Sequence, residues 1–184
     1  MSTQARIIVC DDDPHVRFGT ARMLRKAGYE VLEADGGRAC IELTRSERPD
    51  LVLVDWVMPD LEGPEVCRSI KSNSELAGTV VVLVSGVRTS DEDRAAGLEV
   101  GADAYLTHPL HARSFVANVA ALLRMRYAER RLRENQRLAA VGALARGVGH
   151  EINNPLMGII NYAQLLHDRC AADKTAAEYA DEIM

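Results

Sequence analysis

The stretch RIIVCDDD, residues 6–13, decides the fold. A short apolar run stops abruptly at three consecutive aspartates, and such a run bounded by turn residues reads as a strand. Behind it, HVRFGTARMLRKAG (15–28) carries apolar or small residues at Val16, Ala21 and Leu24, a helical spacing, and stops at Gly28. The same alternation then repeats. YEVLEA (29–34) reads as a strand and GGRACIELTRS (36–46) as a helix. DLVLVD (50–55) is an unbroken apolar run, as expected of a strand covered on both faces of a parallel sheet. GPEVCRSIKS (63–72) is helical, with Pro64 tolerated in its first turn. TVVVLVS (79–85) is the next buried strand, SDEDRAAGLEVG (90–101) a capped helix, DAYLT (103–107) a last short strand, and a further helix begins at His111. Five strand–helix units in about 120 residues predict an α/β domain with a parallel, right-handed, doubly wound sheet.

Composition narrows the class. Of 184 residues, 47% are apolar and 27% charged, which fits a globular chain rather than a disordered one. No run of about 18 apolar residues is present to span a bilayer. The opening MSTQARIIVCDDD lacks the pattern of a secretory signal. Cys10, Cys40, Cys67 and Cys170 show no metal-ligand spacing, so free thiols in a reducing cytoplasm are expected. The net charge of −5 is uneven: residues 124–137, RMRYAERRLRENQR, hold six arginines and two glutamates. With Glu129 four residues before Arg133, and Tyr127 the only aromatic, this reads as a solvated connecting helix, and nucleic acid is disfavoured as a partner.

In a sheet of this type, ligands bind outside the carboxyl ends of the strands. The first strand ends at Asp11, Asp12 and Asp13, the third at Asp55, the fourth at Ser85, and the fifth is followed by His108-Pro109. Carboxylates converging on one rim repel each other unless a hard cation lies among them, and two or three of them with water and a backbone carbonyl suit Mg²⁺. Asp13 precedes Pro14 and is placed to cap the following helix.

IIVCDDDP, LVLVDWVMPDLEG, VVVLVSG and GADAYLTHPL together resemble the receiver domain of two-component response regulators, a five-stranded flavodoxin-like fold, over about residues 4–124. That resemblance implies Asp55 as phosphoacceptor and Asp11 and Asp12 as the acid pair that holds Mg²⁺ with Asp55 and the carbonyl of Val57. It implies Ser85 as the hydroxyl that bonds the phosphoryl group and Tyr105 as the aromatic switch residue. A carboxylate is a competent nucleophile towards phosphorus already activated as a phosphohistidine. One position departs from the family: its usual lysine before the proline is His108 here. Lysine stays charged and reaches further, whereas free histidine titrates near pH 6.5, so the coupling of phosphorylation to shape change is the property at issue.

After HARSFVANVAALL no proline or glycine occurs before Gly142, so the last helix is expected to run on as one rod. Met125, Ala128, Leu132, Asn135 and Ala139 follow three–four spacing, the seam of a short two-stranded coil in which Asn135 would fix register; the alternative is a helix lying on its own domain. Beyond it, Val141, Leu144, Val148, Ile152, Leu156, Ile159, Ala163 and Leu166 mark one apolar stripe. His150 and Asn154, four apart, share another face, and Pro155 is placed to loosen or bend the helix just past the histidine.

LAAVGALARGVGHEINNPLMGIINYAQLL resembles the dimerisation and histidine-phosphotransfer domain of sensor histidine kinases, a helical hairpin that forms a dimeric four-helix bundle. The resemblance implies His150 as the histidine phosphorylated from ATP, Glu151 as its acid/base and Asn154 as a positioning residue. DRCAADKTA (168–176) then reads as the hairpin turn. No ATP-binding motifs follow, so a piece of a longer kinase is expected, with ATP entering only through a catalytic domain outside this chain. The domain reading is a receiver over 1–124, a coiled-coil linker over 125–137 and an incomplete phosphoacceptor domain over 138–184. The implied partners are a second copy of the chain, a cognate histidine kinase or phosphotransfer protein as phosphodonor, and a downstream response regulator, in the cytoplasm. Two other readings stand beside it: a dimeric phosphorelay or scaffold without ATP chemistry, and a response regulator whose basic helix contacts DNA.

Overall fold

The computed structural model describes residues 4–88 and 90–169, with the side chains of 139–153 and 166–169 outside that description. The chain divides into two compact units between Glu129 and Arg130. In the first, strands β1 (Arg6–Cys10), β2 (Glu30–Ala34), β3 (Leu51–Asp55), β4 (Val80–Ser85) and β5 (Ala104–Thr107) alternate with helices α1 (Pro14–Lys26), α2 (Gly37–Glu47), α3 (Gly63–Ser72) and α4 (Asp91–Glu99). Helix α5 (Ala112–Arg169) begins there and continues past the boundary. All strand pairs are parallel and the order is β2-β1-β3-β4-β5.

The apolar strands carry two cores because successive side chains leave opposite faces. Ile8, Cys10, Val52, Val54, Val81 and Leu83 meet Cys40 of α2 and Val66, Cys67 and Ile70 of α3. Ile7, Val9, Leu51, Leu53, Val80, Val82 and Val84 meet Ala21 and Leu24 of α1 and Phe115, Val119 and Leu123 of α5. The central strands are buried on both sides, which is why they read as unbroken apolar runs rather than as alternation. Cys10, Cys40 and Cys67 are buried free thiols.

Local chemistry sets the helix starts. Asp13 caps α1, its side chain accepting from the His15 N–H at 2.8 Å with Pro14 in the first turn. Ser90 and Asp93 form a reciprocal capping box at α4. Both were legible as caps.

In the second unit Pro155 lies inside α5, which continues past it. It removes one backbone donor, and the neighbouring helical bonds sustain the rest. Of the expected apolar stripe, the described side chains divide: Leu156 and Ile159 are 47% and 52% exposed, and Ala163 is buried. Asp168 and Arg169, assigned above to the hairpin turn, are still helical; the remainder of the hairpin, from Cys170, lies outside the described residues. Among the described residues no helix is long and apolar enough to cross a membrane.

Candidate functional site

The strand order reverses direction between β1 and β3, so the connections leaving these two strands diverge and open a crevice at their carboxyl ends. Cys10 pairs in register with Val54, which brings the next residues, Asp11 and Asp55, level on the rim. Asp55 pairs with Val84, and Ser85 with Thr107, so Ser85 and His108 follow along the same edge. Asp11, Asp55 and His108 line one narrow cavity floored by Val9, Leu53 and Val84.

The acids are not at ease there. Asp11 is 8% exposed and its Oδ1 accepts the Asp13 N–H at 2.9 Å. Burial pushes its carboxyl up to about 6; the Asp13 hydrogen bond opposes the rise, the negative charges of Asp55 and Asp12 add to it, and the His108 charge works against it. Asp55 is half-buried and its Oδ2 accepts the Val57 N–H at 3.1 Å. Burial raises its carboxyl as well, against the Val57 and Trp56 backbone donors, with Asp12 again adding. Asp12 and Val57 are exposed.

Next to them Ser85 is buried, its Oγ accepting the N–H groups of Val87 at 3.2 Å and Arg88 at 2.9 Å. Tyr105 lies inward: its ring meets Trp56 edge-on, with centroids 5.7 Å apart at 70°, and its hydroxyl donates to the Arg88 carbonyl. Burial raises the phenol, against a hydrogen bond with Ser85. Ser85, Arg88 and Tyr105 thus form one hydrogen-bonded set beside Asp55, joined to it through Trp56. His108 precedes a cis proline, its N–H donating to the Ser85 carbonyl at 2.9 Å. Its side chain is partly buried and shares the acids' cavity rather than lying wholly in solvent.

Among the described residues no three His, Cys, Asp or Glu side chains are gathered closely enough to hold a metal by themselves. What the rim offers is Asp11 and Asp55 on one cavity with Asp12 exposed nearby, oxygen donors of the kind that would suit a hard cation keeping most of its waters, such as Mg²⁺. Both carboxyls are raised first by burial, and a divalent charge at the rim would favour their ionised forms.

The model of the response regulator receiver domain matches residues 7–120, well over half of the chain. The chain belongs to the response regulator receiver family. Directly after the receiver, residues 140–184 match the His Kinase A phospho-acceptor domain. The receiver is 43% identical over 119 residues to the response regulator MprA of Mycolicibacterium vanbaalenii, covering 65% of this chain and 50% of that protein. A probable transcriptional regulatory protein of a Picosynechococcus strain is 38% identical over 131 residues, covering 67% of this chain and 51% of its own length. The chain thus spans about half the length of these curated relatives. Among solved structures, the chemotaxis protein CheY4 of Vibrio cholerae superposes with a TM-score of 0.62 at 26% identity, over 65% of this chain and 99% of that one. The receiver domain of a signal transduction histidine kinase from Syntrophus aciditrophicus does so at 0.60 and 28%, over 65% and 89%.

Of the residues singled out by sequence, the receiver brings Asp11, Asp55 and His108 around one cavity, with Ser85 and Tyr105 alongside. In the phospho-acceptor domain, His150 and Glu151 have helical backbone within α5 while their side chains lie outside the described residues. Asn154, one turn on, is exposed. Sequence reasoning passed over Arg17, whose Nη1 donates to the Asp11 carbonyl at 2.6 Å while its Nε sits 3.7 Å from Glu33. Its position five residues past Asp12 on α1 was the only available signal.

Proposed function

We propose that this chain is the receiver and phosphoacceptor portion of a cytoplasmic two-component histidine kinase, in which phosphorylation of Asp55 regulates a kinase core built around His150. The observation that carries the receiver half is the shared cavity of Asp11 and Asp55, each one residue beyond the Cys10–Val54 pair at the β1–β3 switch point, with both carboxyls raised. The phospho-acceptor match over residues 140–184 supports the kinase half.

In this reading an Asp55 oxygen attacks the phosphorus of a phosphohistidine on a cognate kinase or phosphotransfer protein. The new O–P bond forms as the P–N bond breaks, and the imidazole leaves with the electron pair and is then protonated. Asp11, Asp12, Asp55 and the Val57 carbonyl would hold Mg²⁺, which when bound neutralises charge on the phosphoryl oxygens. The Val57 N–H orients Asp55. Ser85 would give its hydroxyl proton to a phosphoryl oxygen while its Oγ keeps the Val87 and Arg88 N–H groups, and His108 stands where its ring can face the same group. Ser85 Oγ holds the Val87 and Arg88 N–H groups and Tyr105 holds the Arg88 carbonyl, so a change at Ser85 is felt along this loop towards the α4 face.

In the second domain His150 takes the γ-phosphoryl group of ATP through a ring nitrogen while Glu151 accepts its proton, and Asn154 positions the catalytic domain. ATP is presented by a domain that is not among these 184 residues. The exposed stripe through Leu156 and Ile159 is what a second copy would cover in a four-helix bundle, leaving a downstream response regulator to receive the phosphoryl group. Incubation of the chain with a small phosphodonor and Mg²⁺, followed by intact-mass analysis, tests the receiver half. One added phosphoryl group is expected, absent in Asp55→Asn; an unshifted wild-type mass refutes the reading.

A further inference from the structure

Helix α2 begins without a cap of its own. Its N-cap residue is Gly36, extended at φ −174°, and no neighbouring side chain covers the free N–H groups of the first turn. The cap comes instead from the loop after β3: Asp60 Oδ1 accepts the Gly37 N–H at 3.0 Å and Oδ2 accepts the Arg38 N–H at 3.0 Å. These donors, Arg38 foremost, hold the Asp60 carboxyl below the usual carboxylate range. The two glycines are the complement of that contact. A Cβ on Gly36 would stand 2.9 Å from both Asp60 carboxylate oxygens, and one on Gly37 would stand 2.7 Å from the Leu61 carbonyl.

The clamped loop is the one that carries Val57. At its root the Gly63 N–H donates to the Trp56 carbonyl at 2.9 Å, and Gly63 cannot carry a side chain because its Cβ would lie 2.4 Å from the Asp55 carbonyl. In its middle Met58 is buried, its sulfur accepting from Cys10 at 3.5 Å. Its outer end is fixed by Asp60 alone through side-chain bonds to α2. Between these anchors, the Val57 peptide gives its N–H to Asp55 at 3.1 Å, which ties this stretch of the loop to the acid rim.

We propose that Asp60 is a positioning residue for the receiver reaction: by capping α2 from the β3–α3 loop it holds the Val57 carbonyl at the acid rim, and so sets the affinity of that rim for a divalent cation. The inference rests on the reading of the rim as a Mg²⁺ site. Asp60 touches neither cation nor phosphoryl group, so it acts on binding and not on the chemical step. Its loss resembles loss of an N-cap, and the part of that loss felt at Val57 corresponds to roughly fivefold weaker Mg²⁺ binding.

The test uses the whole 184-residue chain and Trp56, the only tryptophan, whose neighbour in sequence is Asp55. Mg²⁺ is titrated against Trp56 fluorescence, and initial rates with a small phosphodonor are measured over the same Mg²⁺ range. Asp60→Ala should raise the Mg²⁺ concentration needed for half-maximal signal and half-maximal rate by roughly fivefold, with the rate at saturating Mg²⁺ unchanged. Asp60→Asn, which keeps one acceptor for the helix start, should recover most of the affinity. Gly36→Ala, which leaves Asp60 in place but crowds its carboxylate, should weaken binding as Asp60→Ala does. Near-UV circular dichroism reports folding; should Asp60→Ala unfold, the other two variants decide. Wild-type Mg²⁺ affinity in folded Asp60→Ala, or in Gly36→Ala, overturns the inference. A wild-type chain with no Mg²⁺ response overturns the reading of the rim itself, and the inference with it.

Discussion

Substituting Asp11 by asparagine should stabilise the metal-free protein at neutral pH, although it removes a residue assigned to the site. Asparagine is nearly isosteric, and its Oδ1 can still accept the Asp13 N–H that Asp11 accepts now. What disappears is a buried negative charge beside Asp55 and Asp12. The Asp11 carboxyl rises from 3.8 to about 6 on folding. A shift of this size corresponds to at most about 3 kcal/mol at about 1.36 kcal/mol per unit. The rim opens to solvent on the side of Asp12, which screens the interaction, so about 1–2 kcal/mol is the realistic gain at pH 7. The sign follows from proton linkage. Because the folded protein holds the proton more tightly, this group's stabilising contribution is complete below the unfolded value of 3.8 and is lost as pH rises through about 6. Wild type and Asp11→Asn should therefore converge near pH 4, separate between about pH 4 and 6, and keep a constant gap above that. Urea unfolding followed by Trp56 fluorescence at pH 4, 5, 6 and 7 without divalent ions measures the gap, and a gain of this size would raise the receiver's melting point by about 3–8 °C. Added Mg²⁺ should stabilise wild type at pH 7 and Asp11→Asn much less. A variant that is less stable than wild type at pH 7, or whose gap is the same at pH 4 and 7, would refute the claim that burying the Asp11 charge beside Asp55 and Asp12 strains this rim.

His108→Lys should leave phosphorylation of Asp55 intact and keep its effect on Trp56 fluorescence, whereas His108→Ala should weaken that response; an alanine variant equal to wild type in aspartyl-phosphate lifetime and response marks the histidine as passive. When the chain is mixed with a separately produced histidine-kinase ATP-binding domain and labelled ATP, label should reach His150, and label that survives His150→Ala would sink that assignment. The whole chain should sediment as a dimer and residues 1–122 alone as a monomer; an equally tight dimer of the shorter piece would move the interface to the receiver.

Much of the receiver could be read from sequence because its periodicities record burial. Leu51–Val54 reads as an unbroken apolar run since both faces of β3 are covered, and Asp55 ends the run because the sheet rim does. The caps at Asp13 and Ser90 were equally legible, being local bonds between residues two or three apart. The Asp60 cap was not. It joins residues 22 and 23 apart across a loop, and no pattern of hydrophobicity encodes such a bond. The surroundings of His108 were hidden for the same reason: its sharing of a cavity with Asp11 depends on strand register, not on its neighbours in sequence. The run of α5 as far as Gly142 was legible in the absence of breakers; beyond it the helix continues through Gly142, Pro155 and Gly158 and reaches Arg169, past the start of the expected turn at Asp168.

Phosphorus NMR of the whole chain treated with a small phosphodonor tests the central claim most directly, because an acyl phosphate and a phosphohistidine resonate apart and differ in their lability to hydroxylamine. With Mg²⁺ present, one hydroxylamine-labile acyl-phosphate resonance should appear in wild type and in His150→Ala, and be absent from Asp55→Asn and from samples stripped of divalent ions. An acyl-phosphate resonance that persists in Asp55→Asn, or a wild-type spectrum with no resonance beyond the donor, would contradict the assignment of Asp55 as the acceptor at the β1–β3 rim.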